Sequence, residues 1–155
     1  LDSYEILHQE FGIIPMTDYP FKTFKGARIV NMGTAGGQVK PSSGYTFVRI
    51  QERADLIVRA IEQQRLSQLP SRGQGWRYRL YDSILLNVML KNRIPISDVF
   101  TDLFKKNKPS QVLHFLDEKT SFFEEFFIMN SCPKIPFLKG FAHEMKKRLF
   151  FSNTV

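Results

Sequence analysis

Between Asn31 and Tyr45 the chain reads Asn31-Met32-Gly33-Thr34-Ala35-Gly36-Gly37-Gln38-Val39-Lys40-Pro41-Ser42-Ser43-Gly44-Tyr45. Glycines let backbone approach a ligand closely. A helical periodicity begins directly afterwards, so a helix start with unpaired N–H groups and a positive dipole end should face the same spot. The chemistry on offer is the holding of a phosphate or an anionic ring. The segment is not a Walker A loop, because Lys40 is followed by Pro41, and it is not G-x-G-x-x-G. The alternative is a structural connection in which Ser42 or Ser43 caps the next helix.

Other candidate chemistry thins out quickly. His143-Glu144-Met145-Lys146-Lys147 lacks the second histidine of H-E-x-x-H, so it does not support zinc hydrolysis and reads as a solvated helix face. The single cysteine, Cys132, cannot form an intramolecular disulfide. With His8, His114 and His143 it is too scattered for a structural zinc site, and no metal is expected. Trp76-Arg77-Tyr78-Arg79 interleaves bases with rings, but four residues are too few for a nucleic-acid platform, and no nucleic-acid partner is expected despite the pI of 9.6.

The elements that must position these residues follow from composition and period. A chain of 155 residues with 43% hydrophobic and 24% charged residues can bury a core and is not disordered in composition. It has no run of 18 apolar residues and no signal-peptide pattern, which predicts a soluble or peripheral, cytoplasmic location. It opens Leu1-Asp2-Ser3 without an initiator methionine and reads as part of a longer protein. Alternation from Tyr4 to Met16 predicts a strand, residues 15 to 26 a loop or hairpin connection, and Ala27 to Asn31 a second strand. Phe47, Ile50, Ala54, Ile57, Val58 and Ile61 then fall at helical spacing through about Gln63. A linker follows at 66–76, and helices are predicted near 77–92, 96–106, 109–117, 120–130 and 136–150, with Pro95, Pro109 and Pro136 at or near their starts.

Residues 91–155 contain 11 of the 15 Phe, and 11 basic residues against 7 acidic ones. Phe at these spacings reads either as core or as a surface facing a membrane, with Lys139, Lys146, Lys147 and Arg148 meeting anionic head groups in the second case.

Ile13-Ile14-Pro15-Met16, then Gly33-Thr34-Ala35-Gly36 and Lys40-Pro41-Ser42-Ser43-Gly44-Tyr45, closely resemble the lycopene cyclases, and the likeness continues more weakly through Val99-Phe100-Thr101-Asp102-Leu103-Phe104 and Phe115-Leu116. That resemblance implies an α/β flavoprotein. In it, 1–26 would end a substrate-domain sheet, 27–65 would be the C-terminal part of the FAD-binding domain, 66–76 a linker and 77–155 a helical C-terminal region. It implies that Gly33, Thr34, Ala35, Gly36, Gly37, Pro41, Ser42, Ser43, Gly44 and Tyr45 contact FAD, held reduced by NAD(P)H. The reaction implied is the cyclisation of lycopene end groups by protonation, ring closure and proton loss, without net redox change, at a membrane surface. The family's G-x-G-x-x-G and acidic motifs are absent from these residues, so this segment alone is expected to be inactive. The resemblance also implies a site role for Glu10, as a carboxyl on a strand lining the substrate cavity; the alternative is a strand-face Glu paired with Arg28 or Lys25. Rival functions are a flavin monooxygenase or prenyl-lipid reductase of the same fold, and a basic helical adaptor at a membrane surface. Ring type and oligomeric state are not legible.

Overall fold

Three of the helices start where proline permits. In the computed structural model, which describes residues 4–70 and 75–151, Pro95 is the N-cap of a helix, Pro109 opens another at its first position, and Pro136 sits in the first turn of the last. A missing N–H costs nothing in a first turn, where the amide would have no intrahelical acceptor. The elements in chain order are β1 (Phe24–Gly26), β2 (Ile29–Val30), α1 (Phe47–Glu62), α2 (Trp76–Leu90), α3 (Ile96–Lys106), α4 (Pro109–Leu116), α5 (Phe122–Asn130) and α6 (Lys134–Phe151). Short 3₁₀ turns occur at Gly33–Gly36 and Leu66–Gln68.

The five C-terminal helices fall within two residues of their predicted bounds. The strands do not. The predicted strand from Tyr4 to Met16 is absent: residues 4–23 carry no regular structure, and Ile6, Leu7, Phe11 and Ile13 are exposed on both sides of the alternation. Alternation supplies a face but no ladder partner, and an unpaired strand is not stable in water. The second strand is shorter than predicted and pairs antiparallel within one hairpin, Phe24 opposite Val30 and Gly26 opposite Ile29. Among the described residues the architecture is therefore mostly helical with one two-stranded hairpin. Residues 71–74 of the predicted linker lie outside the described residues.

α2 is the central helix. Tyr78, Asp82, Ser83, Ile84, Leu86, Asn87 and Val88 are buried, which takes in most of its circumference, as expected of a helix enclosed by neighbours. α6 packs along it through Gly140, where an added Cβ would sit 3.2 Å from the Ile84 side chain and 3.3 Å from Val88. The absence of a side chain at Gly140 brings the two helices close. On the other side Leu103 of α3, Val112 of α4 and Ile128 of α5 form a buried cluster, with Phe100, Phe115, Leu116 and Cys132 packed against it. α5 is started by Ser121, whose Oγ accepts from the Glu124 amide while the Glu124 carboxylate accepts from the Ser121 amide at 2.7 Å. The Ser121 amide, and the Ser121 hydroxyl donating to the same carboxylate oxygen at 2.8 Å, favour the ionised form and hold Glu124 below the ordinary range.

The apolar stripe of α1 is only partly covered: Ile50, Ala54 and Ile57 are half-buried on the same face as the buried Arg53, while Phe47, Val58 and Ile61 are more than half exposed. The Arg53 guanidinium donates to the Pro70 carbonyl at 2.9 Å and ties that face to the connection beyond the helix. One expectation about a helix face needs correction: the His143–Lys147 segment is not wholly solvated. His143, Lys146 and Lys147 are exposed, but Glu144 is buried, four residues on from Gly140 and therefore on the same face of α6.

Candidate functional site

The glycine-rich segment forms a tight turn ahead of α1. Gly33, Gly37 and Gly44 have φ of 64°, 72° and 72°, a region that a side chain disfavours. The four glycines tested by an added Cβ divide into two pairs. At Gly36 it would lie 2.5 Å from the Asn31 carbonyl, and at Gly37 it would lie 3.1 Å from the Phe21 ring. These two are required by the turn's own packing. At Gly33 and Gly44 nothing comes nearer than 3.9 and 3.5 Å, so backbone remains approachable there.

Neither Ser42 nor Ser43 caps α1. The N-cap is Thr46, and its hydroxyl donates instead to the Gln38 carbonyl at 3.2 Å, while Ser43 Oγ accepts from the Tyr45 amide. α1 thus starts without a side-chain cap and without an acidic residue in its first turn. That leaves its leading N–H groups and dipole end uncompensated by side chains. Gln38 donates to the Gly36 carbonyl at 2.6 Å, and its own Oε1 is buried without a donor. An uncapped helix start, approachable backbone at Gly33 and Gly44, and an unmatched acceptor at Gln38 together fit an anionic cofactor carrying its own hydrogen-bond donors. Thr34, Ala35, Ser43 and Tyr45 lie toward the solvent side, whereas Pro41 and Ser42 are buried.

Beneath this turn lies a group of charges that the sequence did not reveal. Lys40 is 4% exposed, and its ammonium stands 2.9 Å from Glu118 Oε1 and 3.3 Å from Asp82 Oδ1. Arg49 of α1 pairs with the same Glu118 oxygen. The Lys40 ammonium also lies 6.0 Å from the centroid of the Tyr78 ring. The turn, α1, α2 and the α4–α5 connection are thereby held at one point. The irregular N-terminal segment joins the same helix, with Asp18 Oδ2 2.8 Å from Ser83 Oγ.

Lys40, Ser42 and Asp82 also line a partly open cleft of about 450 Å³ between α2 and α6. Its walls are predominantly apolar and aromatic, with Tyr78, Tyr81, Phe115, Phe137 and Phe141 among them. Tyr78, Tyr81 and Phe115 form one ring cluster, with centroids 5.9 to 6.3 Å apart. Tyr78 bonds through its hydroxyl to Thr120, and Tyr81 donates at 2.9 Å to Glu125 Oε2. Glu125 is fully buried, and Arg77 approaches its other oxygen at 3.1 Å without the alignment of a hydrogen bond, so that contact acts by charge alone. Burial and the neighbouring Glu125 carboxylate push the Tyr81 hydroxyl up to about 12, and burial raises Tyr78 as well. Burial likewise raises the Cys132 thiol on the cavity wall.

Glu10 lies on the exposed N-terminal segment, and among the described residues it pairs with neither Arg28 nor Lys25. It is not among the residues lining the cavity. Of Trp76-Arg77-Tyr78-Arg79, Tyr78 is buried and Arg77 faces Glu125, so these four residues do not form a common stacking surface. Among the described residues no group of His, Cys, Asp and Glu could hold a metal, and no helix is long and apolar enough to cross a membrane.

Asp82, Glu118 and Glu125 escaped the sequence reading, although a signal existed for two of them. Asp82 interrupts an otherwise apolar stretch of α2, and Glu125 stands inside Phe122-Phe123-Glu124-Glu125-Phe126-Phe127, three residues before the buried Ile128. A carboxylate on an apolar helix face requires a buried partner. Glu118 gave no such sign, because its partner Lys40 is 78 residues away.

No curated protein and no solved structure matches the chain. The family model described as lycopene cyclase protein matches residues 1–141, which takes in the glycine-rich turn, the buried charges, α1 to α5 and the first eight residues of α6. That match extends over nearly the whole sequence and agrees with the motifs at Ile13–Met16 and Gly33–Tyr45: the chain belongs to the lycopene cyclase family.

Proposed function

We propose that this chain is the cofactor-turn and helical part of an enzyme resembling lycopene β-cyclase, an intramolecular lyase or isomerase that closes rings on acyclic carotenoid ends. Family membership supports a carotenoid-cyclase-like function. The observation that carries the finer reading is the uncapped start of α1 behind an approachable glycine turn, seated on the bundle by Lys40. Gly33 to Gly37 and Pro41 to Tyr45 would hold FAD. When bound in its reduced form, maintained by NAD(P)H, the cofactor supplies negative charge that favours the cationic transition state of ring closure. This chain's own contribution is to present backbone N–H groups at α1 and to keep Lys40 neutralised by Asp82 and Glu118. Lys40 therefore does not add a bare cation beside a developing carbocation. Glu10 remains the proposed proton-handling carboxyl, acting on the substrate side of the protein.

The substrate is stored in bilayers, and the surface suits a docking role at one. On α6, Ile135, Leu138 and Leu149 are exposed on the side opposite Gly140, and Lys139 and Lys146 lie beside them. Phe122, Phe123, Phe126 and Phe127 of α5 are also more than half exposed. Exposed rings flanked by lysines suit the acyl boundary of an anionic membrane.

The test uses the full-length protein in cells that accumulate lycopene. The expected result is a yellow, flavin-containing protein and conversion of lycopene to cyclic products with no stoichiometric NADPH oxidation. Flavin with stoichiometric NADPH use would instead indicate a monooxygenase or reductase, and a colourless protein that binds vesicles would indicate an adaptor.

A further inference from the structure

The cleft between α2 and α6 opens toward one pair of helices. Its lining from α2 and α3 is buried or half-buried, whereas every exposed lining residue, Met129, Asn130, Lys134, Leu138 and Phe141, comes from the end of α5 or the first half of α6. Its volume of about 450 Å³ lies within the ~300–1,000 Å³ range of small-molecule sites. Two exposed apolar rows run into the opening. On α5, Phe122, Phe126 and Met129 follow at i, i+4 and i+7 and share a face. On α6, Leu138 belongs both to the cleft lining and to the exposed row with Ile135 and Leu149. A surface that sets these rows in an acyl boundary therefore sets the opening there as well. At the rim the side chains of Lys134 and Asn130 have no partner among the described residues, and the first turn of α6 has no acidic residue to neutralise the lysine. The buried end at Lys40, Ser42 and Asp82 is polar and suits water, so the apolar part of a ligand fits the stretch between that end and the rim.

We propose that the cleft takes up one acyl chain of an anionic phospholipid from the bilayer, with the head group at the rim on Lys134 and Asn130 and the chain against Phe137, Tyr81 and Leu103. The bilayer as source rests on the membrane-docking reading above; the apolar chain and its anionic end rest on the cleft and its rim. Passing from bilayer to cleft exchanges one apolar surrounding for another, so the chain itself contributes little selectivity. The head group supplies it, because Lys134 attracts a net negative charge and gains nothing from an uncharged hydrocarbon.

The test separates chain uptake from docking. Full-length protein is bound to vesicles of phosphatidylglycerol and phosphatidylcholine in equal amounts, in which one lipid or the other carries a photoactivatable group near the tip of one acyl chain. Docking is then the same in both arms, and after illumination the adducts are mapped by mass spectrometry of the peptides. Labelled phosphatidylglycerol should mark Tyr81, Leu103 and Phe137, and labelled phosphatidylcholine should mark them far less. Lys134→Gln alters an exposed side chain without a partner, and should lower the phosphatidylglycerol adducts per vesicle-bound molecule about fivefold, the effect of one basic residue at an anionic surface. Adducts confined to Phe122, Phe123, Phe126 and Phe127 overturn the proposal and leave the docking reading intact, and absence of both adducts and sedimentation with vesicles overturns the two together. Equal marking of the cleft by the two lipids, or unchanged marking in Lys134→Gln, overturns the head-group assignment and with it the proposed ligand. Flavin content and cyclic product are measured on the same preparation: cleft adducts without either uphold the lipid site and overturn the cyclase reading.

Discussion

Replacing Lys40 by methionine tests whether the buried charges join the two halves of the chain. Methionine matches the length of the aliphatic stem, so the change removes charge with little loss of volume. Asp82 is 3% exposed and loses a cation 3.3 Å away, whereas Glu118 keeps Arg49. Breaking one side of a buried pair costs about 3–5 kcal/mol because the remaining charge is left uncompensated. The retained Arg49–Glu118 pair places Lys40→Met near the lower end. A loss of about 3 kcal/mol is roughly a hundredfold in the folded-to-unfolded ratio, a large share of the ~5–15 kcal/mol available to a domain. The assay is urea unfolding followed by far-UV circular dichroism and by Trp76 fluorescence, with Asp82→Asn and the double variant completing a cycle. Because Asp82→Asn removes the carboxylate that faces Lys40, the double variant should be less destabilised than the sum of the singles, with a coupling of about 1–3 kcal/mol. If Lys40→Met stays within about 1 kcal/mol of the parent, or if the two changes add without coupling, the argument from desolvated charge is wrong.

At Gly140, substitution by leucine should separate α6 from α2, with the ~1–3 kcal/mol loss typical of overpacking read as a lower urea midpoint, because Ile84 and Val88 already lie at 3.2 and 3.3 Å from an added Cβ. Gly36→Ala should destabilise far more than Gly12→Ala in the same measurement, since the new Cβ meets the Asn31 carbonyl at 2.5 Å in the first and nothing within 4 Å in the second. Tyr81 should ionise near 12 in an ultraviolet titration rather than near 10.0, and Tyr81→Phe should remove that late step. The linkage has a definite sign: a hydroxyl whose folded value is raised contributes fully below pH 10 and loses its contribution as pH rises from 10 to 12, so alkaline unfolding should begin in that window and be flatter in Tyr81→Phe.

The helices were legible because prolines and period act locally. Pro95, Pro109 and Pro136 each state a helix start within two residues of where it occurs. The segment from Tyr4 to Met16 misled because alternation records which residues would face a sheet without recording whether a partner strand is there to pair. The glycine-rich turn was legible as a special backbone, yet the reason for each glycine was not: Gly36 and Gly37 serve Asn31 and Phe21, while Gly33 and Gly44 leave open space. The buried charges and the cavity depend on residues far apart in sequence. Lys40 gave no sign that it would be less exposed than most of the leucines, and the spacing of Phe122, Phe123, Phe126 and Phe127 left core and surface both open until the packing placed them on the surface.

The placement of Lys40 also bears on how the chain holds its shape as a whole. Sequence separation itself is a small obstacle, since each doubling of loop length adds only about 0.6 kcal/mol to closure. The larger effect is that the charges are unfavourable singly and acceptable together: Lys40 and Arg49 come from before the 66–76 connection, Asp82 and Glu118 from after it. Neither side can bury its members without the other. The connection is therefore continuous in chain but subordinate in energy, and a cut within it would not release two self-sufficient pieces. It would leave each with ionic groups designed for an interior that the other supplies, so the cofactor turn and the helices should gain and lose order as one cooperative unit.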